Sequence, residues 1–133
     1  MSGETNLNKL LREMSPELNV GEYVFVTVQN DETIEGAEVL GKFKEQEGTT
    51  LILKKEAADR LGLAYAFVAS WISLKVHSSL AAVGLTAAFS AALAEQQISC
   101  NIIAGYYHDH IFVDTKDVQK AMNVLKKLSK NNN

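Results

Sequence analysis

Apolar positions recur along the chain at two periods, and the switches between them lay out the elements. Leu7, Leu10, Leu11 and Met14 stand three and four apart, so a short amphipathic helix opens the chain. Thr5 or Asn6 can cap it. Ser15-Pro16 ends it, because the residue before a proline avoids helical backbone. Residues 22–28 are rich in β-branched and aromatic side chains without a helical period and predict a covered strand. Residues 29–36 are polar and acidic and read as loop. Residues 39–45 and 49–53 flank the turn pair Glu47-Gly48 and predict a hairpin. Residues 55–61 form a short helix closed by Gly62.

A weakly polar connector, residues 65–70, leads into a second half with a cleaner pattern. Over residues 71–77, Ile72, Leu74 and Val76 alternate with Ser73, Lys75 and His77, the pattern of a strand with one covered face. A small-residue turn follows, then a helix over about residues 83–96. Leu85, Phe89 and Leu93 share one face of it, and its alanines and Ser90 allow another element to approach closely. Residues 98–104 predict a strand, 106–108 a turn and 110–113 a short strand. The last helix, residues 114–128, carries the stripe Val118, Ala121, Met122, Leu125 and Leu128, with Thr115 as its cap. Residues 130–133 should fray. This half ends on a helix with no fourth strand after it, so residues 23–28 are expected to complete its sheet. Residues 51–53 and their helix echo residues 111–113 and theirs, and residues 23–28 echo 71–76. The first half has no obvious long helix between its first two strands, so the duplication is degenerate.

Composition narrows the classes. The 133 residues suffice for one compact domain or two very small ones sharing a core. An apolar fraction of 47% against 22% charged places the chain among globular proteins rather than disordered ones. A net charge of −3 without a basic run argues against nucleic acid as a partner. Lys126, Lys127 and Lys130 stand at a helix C-terminus, where cations complement the dipole. Cys100 has no second cysteine to pair with, lies among apolar strand residues, and fits a buried thiol in a reducing compartment. No signal-peptide pattern opens the sequence, and the longest nearly apolar run, residues 80–94, is too short to span a bilayer. The expectation is a cytoplasmic protein with no membrane partner.

The turn between the strand at 71–77 and the following helix is the first candidate site. Backbone N–H groups at a helix start favour a carboxylate or another anion. Ser78 and Ser79 add hydroxyls, and Gly84 lets a ligand approach the backbone. Spacing alone favours a capped connection with a packing glycine. The second candidate is His108-Asp109-His110, whose side chains suit a metal and which His77 could join; a polar turn with one histidine packed and one exposed explains them better. Cys100 lies mid-strand, away from a general base. The acidic residues Asp31, Glu32, Glu35 and Glu38 lack calcium-loop spacing.

The order strand, small turn, Gly84, helix ending Leu93-Ala-Glu-Gln-Gln-Ile98, strand with Asn101-Ile102, short strand and helix resembles an ACT domain. The segment Gly105-Tyr-Tyr-His-Asp-His-Ile-Phe-Val113 resembles the Thr-Tyr-x-x-Asp-x-x-x-Val stretch of ACT domains close to the aspartate-kinase type. The whole chain is similar to a family of small free-standing proteins with two ACT-like halves and no established activity. The resemblance is fullest over residues 70–128. It implies an α+β fold of tandem ferredoxin-like halves, βαββαβ-related, with antiparallel sheets covered by helices: residues 1–65 a degenerate N-terminal half, residues 66–133 the C-terminal ACT domain. It implies a regulatory protein that binds a free amino acid or similar small molecule, with no catalysis or cofactor of its own, acting on a separate enzyme. The implied site is His77, Ser78, Ser79, Leu80, Val83, Gly84, Leu85 and Thr86, faced by Asn101, Ile102 and Ile103. Ser78, Ser79 and the turn backbone would take a carboxylate, and Asn101 an α-amino group or side chain. Free strand edges suggest a homodimer. Ala81-Ala-Val-Gly84 stands where the family has Asp-x-Pro-Gly, which leaves an adaptor with a lost ligand site as one alternative. A metal-dependent enzyme using His77, His108 and His110 is the other.

Overall fold

In a computed structural model the described residues are 6–29, 34, 38–75 and 84–130. Their elements are α1 (Leu7–Glu13), β1 (Ser15–Leu18), β2 (Tyr23–Val28), β3 (Val39–Lys44), β4 (Thr49–Lys54), α2 (Lys55–Leu61), β5 (Ala69–Lys75), α3 (Leu85–Glu95), β6 (Cys100–Ala104), β7 (Asp109–Asp114) and α4 (Val118–Lys130). A single 3₁₀ turn, Thr115–Asp117, leads into α4. The chain divides into two compact units. One is continuous, Val20–Ala69; the other joins Met1–Asn19 to Ser70–Asn133.

The continuous unit is a three-stranded antiparallel sheet, β3-β4-β2, with α2 packed on one side. The predicted hairpin is β3 and β4, closed by a hydrogen bond from Glu45 N to Gly48 O of 2.9 Å. Val24, Val26, Leu51 and Leu53 face Ala57 and Ala58 of α2 to make its core. α2 ends at Gly62, as its sequence position implies. The loop expected over residues 29–36 lies largely outside the described residues.

The discontinuous unit carries a sheet of order β1-β5-β7-β6, with β6 antiparallel to β7. Ile72 and Leu74 of β5 and Ile111 and Val113 of β7 face Phe89 and Leu93 of α3, Leu125 of α4 and Leu10 of α1; all eight side chains are fully buried. The two apolar stripes read from the sequence are therefore the faces these helices bury. Asn6, not Thr5, caps α1: its side chain accepts from Lys9 N at 3.0 Å. Before α4 the capping acceptor is Asp114, bonded to Lys116 N, rather than Thr115.

Two expectations about this sheet need correction. Ser15-Pro16 does end α1, but it also opens a strand. β1 pairs with β5 from Ser15↔Lys75 to Leu18↔Ile72. Proline is tolerated there because β1 is short and needs no ladder on its far side. Residues 23–28 were expected to complete this sheet; they pair along their whole length with β4, and meet β5 at Tyr23↔Ala69. The strand that lies along β5 is β1.

Replacing Phe89 by Ala removes a fully buried ring and is expected to cost about 3–5 kcal/mol. Replacing Phe43, which is 71% exposed, should stay within about 0.5 kcal/mol. Urea denaturation of both variants measures the contrast.

Candidate functional site

The helix start comes first. Gly84 is the N-cap of α3 with φ +95°, a backbone region that side-chain-bearing residues rarely adopt, and as a glycine it offers no side chain to cap the first turn. The Gly84 carbonyl accepts the first helical bond from Ala88 N at 2.8 Å. Leu85 turns into the core and Thr86 is exposed. Leu7 of α1 closes over the glycine: a Cβ at position 84 would lie 3.3 Å from Leu7 Cδ2. The remaining members of the expected turn, His77, Ser78, Ser79, Leu80 and Val83, lie outside the described residues.

The facing strand splits by its pleat. Cys100 and Ile102 of β6 pack on the helix-covered core. Asn101 and Ile103 point the other way, both exposed. Their direct partners on β7 are Phe112 and His110. The structure thus gathers Asn101 and Ile103 with His110, not with Ile102.

That second face of the sheet holds a polar cluster with no sequence signature beyond strand alternation. Trp71 and Ser73 of β5 alternate with Ile72 and Leu74. Trp71 Nε1–H donates to His110 Nδ1 at 3.0 Å, and the indole stacks on Phe112 with ring centres 6.3 Å apart. An indole nitrogen can only donate, so Nδ1 carries no proton and the His110 proton sits on Nε2. Ser73 Oγ, 3.1 Å from the same nitrogen, must then donate to it as well. Asn19, just past β1, donates through Nδ2 to Ser73 Oγ at 3.0 Å and to Trp71 O at 3.2 Å. The chain of bonds from Asn19 through Ser73 to His110 holds β1, β5 and β7 in one register and fixes a neutral imidazole.

The electrostatics agree. Burial pushes His110 below the ordinary histidine value, and nearby His108 adds to this while Asp109 opposes it. Burial pushes the Asp109 carboxyl up, against the pull of His110 and His108. Burial also raises the Cys100 thiol, which is half-buried rather than fully so. His108 Nδ1 is buried with no hydrogen-bond partner among the described residues. The β6–β7 turn closes through Gly105 N to His108 O at 2.9 Å, and the His110 ring lies so close that a Cβ on Gly105 would meet it at 3.3 Å. Among the described residues no group of three or more His, Cys, Asp or Glu is placed to hold a metal. The expected third histidine, His77, is outside them.

Two family profiles, both of the ACT domain, match the sequence, one over residues 2–70 and one over residues 67–127. The chain belongs to the ACT-domain family. A Vibrio cholerae protein of unknown function, described as a possible transport protein, has a similar structure at 48% identity, covering 92% of this chain and 95% of that one with a TM-score of 0.84. The aspartate kinase of Clostridium acetobutylicum shares the fold at 8% identity and a TM-score of 0.65 over 86% of this chain and 34% of its own. The ligand-free regulatory subunit of aspartate kinase from Thermus thermophilus does so at 9% identity and a TM-score of 0.57, over 85% and 95% of the two chains. No curated protein sequence matches the chain. The resemblance to tandem ACT halves, and their α+β ferredoxin-like fold, is thereby shown. The profile matches meet near residue 70, whereas the unit holding the second match also takes in β1.

Two predictions concern this ACT protein's polar face. His110 is held below its ordinary value of about 6.5, so the unfolded chain takes up that proton more readily. The His110 contribution is whole above that value and is lost as pH falls through the folded one. Asp109, held above its ordinary 3.8, acts in the opposite sense, its contribution lost as pH rises through its folded value. His110→Gln removes the imidazole's titration together with its pull on Asp109 and keeps an acceptor for Trp71. It should flatten the decline of stability between about pH 7 and 5, read from urea midpoints at each pH. Gly105→Ala forces a Cβ against His108 O at 2.9 Å and should lower stability by about 1–3 kcal/mol, measured the same way.

Proposed function

We infer that this ACT-domain protein is a regulatory binding module that takes up a free amino acid and acts on a separate enzyme, with no catalysis of its own. Membership of a family known for regulatory small-molecule binding, matched twice across residues 2–127, is the observation that carries this reading. The likeness to aspartate-kinase regulatory domains supports the fold it needs. On this reading the ligand carboxylate meets the start of α3, whose N-cap, Gly84, has no side chain to occupy the first-turn N–H groups. His77, Ser78, Ser79, Leu80 and Val83, outside the described residues, and Leu85 are assigned to the same site. Asn101 and the strand backbone through Ile102 and Ile103 meet the α-amino end. The neutral, doubly engaged Nδ1 of His110 fits a structural histidine better than a general base. β6 is the outer strand of its sheet and exposes Ile103, which supports a homodimer paired along strand edges. A cytoplasmic location belongs to the same reading. Among the described residues no helix is long and apolar enough to cross a membrane.

Ligand binding to the folded state raises stability by mass action, by about 2.7 kcal/mol at a hundredfold excess over Kd. A melting-temperature screen of the full chain against the free amino acids should therefore single out one or a few of them. Asn101→Ala, a change at an exposed position, should abolish that rise while leaving the ligand-free melting temperature in place. If no amino acid moves the melting temperature, the reading fails.

A further inference from the structure

The continuous unit has a cleft of its own, formed alongside α2 where β3 begins and where the start of β2 lies beside the end of β4; its volume is about 760 Å³. Small-molecule sites commonly span about 300–1,000 Å³. Its lining comes wholly from Val20–Ala69, so it shares no residue with the helix start and strand discussed above.

Among the described residues four charged side chains line the cleft: Glu38, Lys54, Glu56 and Arg60. Arg60 donates to the Glu38 carboxylate, an ion pair that ties α2 to the start of β3. Lys54 and Glu56 are exposed and have no ion-pair partner among the described residues. The cleft therefore presents one closed pair, one open cation and one open anion. Its apolar surface includes Leu40, which is 41% exposed, and the ring of buried Tyr23, whose hydroxyl is turned away to Val20 O.

These charges discriminate. A simple anion gains from Lys54 and loses against Glu56; a simple cation does the reverse. A molecule that carries both signs gains from each and keeps the closed Arg60–Glu38 pair intact. The geometry points to a second ligand site here for a small zwitterion, with its carboxylate on Lys54, its ammonium on Glu56, and an apolar body against Leu40 and Tyr23. This site stands apart from the one at α3 and does not depend on it.

Amide NMR on the ¹⁵N-labelled full chain tests the assignment with three probes of one carbon skeleton: L-leucine, 4-methylpentanoate and 3-methylbutylamine. Leucine should shift the amides of Leu40, Lys54 and Glu56. Either singly charged probe should bind at least roughly tenfold more weakly. Lys54→Gln and Glu56→Gln each remove one open charge at an exposed position and should each weaken leucine severalfold, with the rest of the spectrum unchanged. Leucine shifts confined to residues 84–86 would overturn this site and uphold the one at α3. Equal shifts from all three probes, no shift at the cleft at tens of millimolar, or indifference to both substitutions would overturn it as well.

Discussion

Burial of one apolar layer between helices and sheet is the constraint on which the discontinuous unit rests. Phe89 and Leu93 of α3, Leu125 of α4 and Leu10 of α1 meet Ile72, Leu74, Ile111 and Val113 with no exposed surface. At about 25 cal/mol per Å² of apolar surface, such side chains supply the dominant favourable term of folding. The layer also fixes which way every residue of β5, β6 and β7 points. Once Ile72, Leu74, Ile102, Ile111 and Val113 face the helices, Trp71, Ser73, Asn101, Ile103, His110 and Phe112 must face away.

The second face follows from that constraint and then solves a problem it creates. Ser73 is only 5% exposed although it points away from the helices. A buried hydroxyl without partners costs free energy. Asn19 and His110 satisfy it, and Trp71 adds a second donor to the same imidazole nitrogen. The cluster thus ties the polypeptide just after β1 to β5 and β7, which are more than 50 and 90 residues further along. β1 is therefore held by its ladder and by side-chain bonds together.

Much of this was legible in the sequence. The stripes of α3 and α4, the β3–β4 hairpin and the Gly62 stop are local patterns, and each is formed as read. The alternation of β5 implies one covered face, but Ser73 on its other face is buried too. β1 was not legible: four residues, Ser-Pro-Glu-Leu, carry no strand period, and a proline argues for a break. Only the long ladder of β5 makes that segment a strand. The candidate site was legible in part. Gly84 opens α3 as expected. The pleat, however, separates Ile102 from Asn101 and Ile103, and the cross-strand register places the latter two beside Phe112 and His110. The cleft beside α2 had no motif at all, because its charges come from the residue before β3, the end of β4 and α2.

Sequence alone determined the elements other than β1, the two apolar layers and, through the Gly84 and residue 93–113 signatures, the ACT family. Each depends on residues within one turn or one strand of each other, whose spacing fixes which side chains share a face. Tertiary structure alone decided that residues 15–18 form a strand on β5, that His110 is a neutral acceptor for Trp71 and Ser73, and that Tyr23 and Glu38 line one cleft with Lys54 and Glu56. Those relations join residues far apart in the chain. They arise from the pairing of strands and the packing of a helix, which no local period records.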